Sequence, residues 1–208
     1  MKNKKFYHIS VDGDGSCLFH SMSGIIHLND KLWNGITYKI EKENWNRKSI
    51  LLRKKCIRWL KDNLDYEIKG LGMKLKDEIM DDVNNNDDIK KKSVQGYLKY
   101  MGKNGSYGGQ IEIYALAELL KKNIRTYILR NNKLERFAGL GYEIDKKYDT
   151  ITLYYNYGEL GPGNDKLYHF EILYPREKAQ IISKKEYMKR KRETSKTKRK
   201  KKVSRRKK

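Results

Sequence analysis

Asp14-Gly15-Ser16-Cys17-Leu18-Phe19 sets one cysteine at a glycine-loosened turn that leads into an apolar segment. Upstream, residues 6–11 (Phe-Tyr-His-Ile-Ser-Val) alternate as a strand does. Downstream, Cys17 to His27 reads as a helix rich in Leu, Phe, Met and Ile. A cysteine in the first turn of a helix faces unpaired backbone N–H groups and the positive end of the helix dipole, and both favour thiolate over thiol. The same N–H groups, at Gly15, Ser16 and Cys17, are placed to receive the oxyanion of a tetrahedral intermediate. The segment thus predicts a nucleophile and an oxyanion hole together. Read without the rest of the chain, it equally describes a buried helix-start cysteine beside an acidic turn.

The rest of the chain supplies a base. Of the four histidines, His8, His20 and His27 lie close to Cys17 in sequence, and the His20 ring is expected to point back along the helix. His169 differs: it lies in the alternating run Leu167-Tyr168-His169-Phe170-Glu171-Ile172-Leu173-Tyr174, after a glycine-rich loop at Gly158–Gly163. Residues two apart in a strand share a face, so His169 and Glu171 point the same way. A carboxylate there can orient and polarise the imidazole, completing a nucleophile, base and orienter set.

Between these two segments stands Tyr107-Gly108-Gly109-Gln110-Ile111-Glu112-Ile113-Tyr114-Ala115-Leu116-Ala117. Taken with Asp14–Phe19 and Tyr168-His169-Phe170, it gives the chain a resemblance to the OTU (ovarian tumour) family of cysteine proteases. That family joins an Asp-Gly-x-Cys nucleophile motif, an aromatic-Gly-Gly-x-x-Glu segment and a late strand histidine. The resemblance spans residues 6 to 176 and implies a papain-like α/β (α+β) fold, with a small central mixed sheet flanked by helices. It implies Cys17 as nucleophile, His169 as general base, and Tyr107, Gly108 and Gly109 as substrate-binding residues. Two departures matter. The family has Asp or Asn two residues after the histidine, where this chain has Glu171, and Asp14 competes for the orienting role. The central motif usually opens with Trp, replaced here by Tyr107.

The periodicities predict helices at 17–27, 47–62, 66–80, 93–101 and 110–122, with a polar break at Asn84–Asp88. Strands are predicted at 6–11, 124–129, 134–138, 150–156 and 167–174. Helices first and strands later point to a mixed sheet rather than regular βαβ repeats. The 208 residues suit one domain over 6–176 and a tail over 177–208. The Ala115-Leu116-Ala117 stripe is expected to pack its helix on the sheet, and Cys56 to be a buried structural thiol.

The net charge of +22 is concentrated at the end of the chain: Lys184–Lys208 holds 16 Lys and Arg against Glu186 and Glu193. The clusters Lys189–Arg192 and Lys198–Lys202 predict a disordered basic tail, suited to a nucleic acid or an import receptor. Two cysteines, no signal peptide and no apolar run near twenty residues lead to the expectation of an intracellular monomer, in cytoplasm or nucleus, without membrane insertion. No metal is expected, because Asp12–Gly15 lacks the glycine and glutamate of a calcium loop and Cys17 with His20 lacks a second ligand pair. No cofactor is called for either. The abundance of Lys, Asn, Ile and Tyr beside two Pro fits an AT-rich viral or parasite genome.

From the residues alone, the chemistry is acyl transfer at a cysteine. The resemblance narrows this to a deubiquitinase cutting after the C-terminal Gly of ubiquitin or a ubiquitin-like modifier. A non-catalytic, ubiquitin-binding or nucleic-acid-tethered scaffold is the alternative.

Overall fold

The computed structural model describes residues 5–27, 31–33, 42–160, 166–178, 180–182, 189 and 192–193. Strand β1 (Phe6–Ile9) precedes helix α1 (Cys17–His27), then β2 (Lys31–Trp33) and the long helix α2 (Lys42–Asp62). In α2 the buried residues Ser49, Leu52, Arg53, Cys56 and Leu60 recur at helical spacing, so one face is turned inward. Cys56 is free and buried within that face.

The helix expected over 66–80 does not form there. Short antiparallel strands β3 (Glu67–Ile68) and β4 (Met73–Lys74) take up its first half. Gly70 and Gly72 have φ of +86° and +64°, left-handed values that a helix cannot hold in its interior. Helix α3 (Leu75–Asn85) follows with a buried stripe of Leu75, Ile79 and Val83, and it ends within the expected polar break, where Asn86 turns to extended backbone. Helix α4 (Val94–Met101) is capped by Ser93, whose hydroxyl accepts from the Gly96 N–H at 3.1 Å.

Helix α5 (Gln110–Leu120) is buried from Ile111 to Glu118, with Ala115 and Ala117 inside the core. Its residue Glu112 accepts from the Gly109 N–H at 2.8 Å and from the Tyr97 hydroxyl at 2.8 Å. The motif glutamate is therefore a buried cap for the helix that carries it.

Strands β5 (Asn123–Arg130), β6 (Lys133–Tyr142), β7 (Thr150–Leu160) and β8 (Lys166–Pro175) join β1 in a five-stranded sheet of order β1-β8-β7-β5-β6. Only the β5–β7 pair is parallel, so the sheet is mixed. Asn131 and Asn132 adopt positive φ in the two-residue β5–β6 turn, the conformation that matches strand twist in a tight hairpin. Strand β7 runs through Gly158 to Leu160, where the sequence reads a loop, and residues 161–165 lie outside the described ones.

Strand β9 (Gln180–Ile182) pairs in parallel with β2, which extends the folded part beyond the expected boundary at 176. Both strands are only three residues long, too short for an alternating pattern to register in the sequence. Most of the basic tail, and with it the expectation of disorder, falls outside the described residues. Among those described, no helix is long and apolar enough to cross a membrane.

Burial drives the Glu112 carboxyl up to about 7 from its ordinary 4.5, against the opposing pull of the Gly109 N–H and the Tyr97 hydroxyl. A folded-state value above the unfolded one means the fold holds that proton more tightly than the unfolded chain does. This contribution to stability is complete below about pH 4.5 and is lost as pH rises through about 7. Glu112→Gln keeps the shape without the titration. Urea midpoints at pH 5 and pH 8 should therefore differ less in the variant than in the wild type, and equal differences would assign the proton elsewhere.

Candidate active site

The loop before α1 is built around Gly15. Its φ is +77°, and a Cβ there would lie 1.9 Å from the Gly105 carbonyl oxygen, so no other residue fits without moving the 102–106 loop. Two further contacts fasten the loops together. The Gly105 N–H donates to Ser16 Oγ at 3.2 Å, and Arg53 reaches both loops from below.

Arg53 is 1% exposed. Its guanidinium donates to the carbonyls of Met101 (3.0 Å) and Ser106 (2.8 Å), to Ser16 Oγ (3.2 Å) and, more distantly, to the Gly15 carbonyl (3.5 Å). The guanidinium carbon sits 4.1 Å from the centre of the Phe19 ring, a cation–π contact. The sequence reading missed this residue. A charge on the apolar face of α2, one turn before Cys56, was the available signal.

Asp14 packs within the loop rather than against His169. Its Oδ1 accepts the Ser16 N–H at 3.0 Å and lies 3.0 Å from His20 Nε2. Partial burial works to raise its pKa, but the His20 hydrogen bond and the Ser16 N–H hold the carboxyl below its ordinary value. The His20 ring thus points back along α1 to the loop. The Ser16 N–H, one of the three expected oxyanion donors, donates to Asp14 in this arrangement.

Cys17 is 1% exposed, and its thiol lies against the backbone N–H groups of Phe170, Leu18 and Cys17 itself. Burial pushes the thiol pKa up, with the Asp14 charge adding to the rise, and the backbone N–H groups only partly oppose this. The expected thiolate is therefore not the resting form. Desolvation outweighs the helix terminus.

His169 lies on the strand that covers this thiol. Phe170, whose N–H faces Cys17, is its chain neighbour, and Ser21 of α1 donates to the Phe170 carbonyl at 3.1 Å, clamping α1 to β8. A Cβ on Gly13 would lie 3.7 Å from His169 Cε1 and 3.8 Å from Nδ1, so the ring rests on the loop backbone. On its other side, Nε2 faces Glu171 Oε1 at 3.7 Å, inside ion-pair range and too long for a hydrogen bond.

The other Glu171 oxygen is held by His8 of β1, which the sequence reading mentioned without assigning a role. The two residues are 163 positions apart and meet through β1–β8 pairing, which no local pattern signals. Burial works to raise the Glu171 pKa, but the His8 hydrogen bond and charge, then Ser10 and His169, bring it below the ordinary value. The structure thus pairs His169 with Glu171 on β8, sets the neighbouring Phe170 N–H against Cys17, and gives Asp14 to His20.

The central motif divides. A Cβ at Gly108 would meet Leu18 Cδ2 at 2.8 Å, so this glycine lets the segment pack on α1. Gly109 has open space around its Cα, and Tyr107 is 62% exposed. Tyr107 and Gly109 also line an open cavity with the carboxylates of Glu78, Asp81 and Asp82.

Residues 8–133 match the family model of the vertnin OTU domain. The match takes in Cys17 and the central motif and stops before β7 and β8. No curated protein matches the chain. Among solved structures, the OTU protease of Dera Ghazi Khan virus is similar at 16% identity, covering 83% of each chain with a TM-score of 0.49. The OTU protease of Farallon virus stands at 15% identity, 83% of this chain, 86% of that one and a TM-score of 0.49. The ubiquitin-bound OTU deubiquitinase of Wolbachia pipientis wMel stands at 17%, 84%, 99% and 0.44 respectively.

Two outcomes follow from the site's construction. Arg53→Met leaves the Met101 and Ser106 carbonyls buried without their donor, so urea unfolding should show a loss of about 2–4 kcal/mol. A loss below about 0.5 kcal/mol would mean the loops are held without the guanidinium. For Cys17, a pKa above the ordinary 9.0 leaves at most about 1% thiolate at pH 7. Alkylation of Cys17 by iodoacetamide should be slow at pH 7 and still rising above pH 9. A plateau below pH 8 would contradict the buried neutral thiol.

Proposed function

We propose, from the premise that this chain belongs to the OTU-domain family, that it is a thiol-dependent isopeptidase acting on ubiquitin or a ubiquitin-like modifier. The observation that carries the reading is the packing of the Cys17 thiol against the Phe170 N–H, next to a His169 ring held between the Gly13 backbone and Glu171. A neutral thiol beside an imidazole calls for general-base activation as the substrate enters.

His169 takes the Cys17 proton while Sγ attacks the carbonyl carbon of the modifier's terminal glycine. The N–H groups of Gly15 and Cys17 receive the oxyanion. His169 then returns the proton to the leaving lysine amine, and a thioester remains on Cys17. Water, giving its proton to His169, attacks the thioester; the modifier's carboxylate departs and Cys17 is reprotonated. Glu171 supplies negative charge on the Nε2 side of the imidazole, while Asp14, tied to His20, shapes the loop. An exposed Tyr107 and the open backbone at Gly109 suit the walls of a channel for an extended Gly-Gly tail.

A second reading has its own support. A cysteine 1% exposed with a raised pKa also suits a scaffold that binds a modifier without cleaving it. The basic tail is proposed to serve either reading as an electrostatic arm for nucleic acid or an import receptor, placing the protein in cytoplasm or nucleus.

The test is reaction with ubiquitin carrying a C-terminal thiol-reactive warhead. The expected outcome is a one-ubiquitin adduct in the wild type and none in Cys17→Ala, with Glu171→Gln slowed more than Asp14→Asn. No adduct from folded wild-type protein that still binds ubiquitin would favour the scaffold.

A further inference from the structure

Asn156 is the residue directly opposite His169 in the antiparallel β7–β8 register, just as Tyr154 is opposite Glu171. Cross-strand partners share a face of the sheet, with Cβ atoms about 5 Å apart. His169, Glu171, Asn156 and Tyr154 therefore stand together, and His8 closes the group by packing edge-on against Tyr154 with ring centres 5.1 Å apart. Within this group two polar groups are unmatched. His169 Nε2 is 3.7 Å from Glu171, beyond hydrogen-bond reach. The Asn156 Oδ1 is buried and has no hydrogen-bond partner among the described residues.

A buried amide oxygen without a donor carries a desolvation cost of about 1–3 kcal/mol, so an apolar residue of the same shape would serve the fold better. The cost is understandable where the acceptor has a donor in another arrangement of the site. The donor directly across the register is the imidazole N–H of His169. Glu171 Oε2 is held by His8, and Oε1, 3.7 Å from Nε2, makes no hydrogen bond to the ring in this arrangement. Glutamate, a methylene longer than aspartate, reaches His8 across the β1–β8 pair.

We infer that Asn156 is a positioning residue for His169: its Oδ1 accepts the Nε2–H of the imidazole, fixing the ring with Nδ1 directed to the Cys17 side, while Glu171 supplies charge from the shared His8–His169 position. Register-paired residues of adjacent strands have Cβ atoms close enough for such a bond to form by side-chain rotation. It keeps the proton on Nε2, which leaves Nδ1 as the base. The inference rests on the reading of His169 as the general base, so its test uses a readout that does not depend on turnover.

The experiment is imidazole ¹⁵N NMR of the full chain, wild type beside Asn156→Leu and Asn156→Asp. The His169 signals are assigned by their loss in His169→Gln, a manageable task with four histidines. In the wild type, His169 should hold one tautomer, protonated at Nε2. In Asn156→Leu it should become a mixture, although the variant melts at the same temperature or higher, since an orphan polar group has been removed. In Asn156→Asp the single tautomer should return, and His169 should titrate at higher pH beside the new carboxylate. On a ubiquitin C-terminal amide substrate, Asn156→Leu should lower kcat by about tenfold or more with KM unchanged, and Asn156→Asp should recover part of it with the acid limb of the pH profile displaced. An unchanged tautomer and titration in Asn156→Leu would overturn the role of Asn156. A changed His169 spectrum in a protein that cleaves nothing would uphold the positioning and overturn the hydrolase reading instead.

Discussion

The buried Arg53 guanidinium is the contact on which the site depends. A charge with almost no access to water persists only where its donors meet acceptors, and here the acceptors are backbone carbonyls and one hydroxyl from two loops. One of those loops precedes Cys17 and the other links α4 to the Tyr107-Gly108-Gly109 segment. Arg53 thus converts a cost of burial into a geometric constraint. It draws the two loops close enough that Gly15 touches the Gly105 carbonyl, a contact that glycine alone permits. Burial draws the Arg53 pKa below its ordinary value, and Glu112, when ionised, partly offsets this, so the motif glutamate is chiefly a helix cap.

On the sheet side, the constraint is the pairing of β8 with both β1 and β7. This places a histidine on each side of Glu171 and an amide across from His169. The carboxylate remains ionised in a mostly buried position because of its histidine and serine partners. The two halves meet where Ser21 donates to the Phe170 carbonyl, so the helix that starts at Cys17 and the strand that carries His169 are joined by one side chain. Rigid support of this kind lets a site keep its geometry while its reacting groups stay loosely paired.

The electrostatics of the cysteine reverse a local expectation. Considered alone, the first turn of α1 favours a thiolate. Within the fold, the thiol is covered by β8, and the loss of water outweighs the few N–H groups that face it. Only the accessible surface of the folded molecule decides which effect is larger, and a sequence does not contain that quantity.

By itself the sequence determined the elements whose signals are local. Strand alternation marked β1, β5, β7 and β8, helical periodicity marked α1, α2, α4 and α5, and spacing put Cys17 at a helix start and His169 two residues from Glu171 on one strand face. Where the signal was short or mixed, local reading failed. The Gly70 and Gly72 turn hid inside a mixed apolar and charged stretch, and the three-residue strands β2 and β9 were too brief to show a pattern. Tertiary structure alone decided the partners: Asp14 with His20, His8 with Glu171, Arg53 beneath two loops, and Asn156 opposite His169. Periodicity reports which face of an element is apolar, but hydrogen-bond partners and burial arise from pairings between residues far apart in the chain. Those depend on strand register and helix docking, which are set by the collective packing of the core.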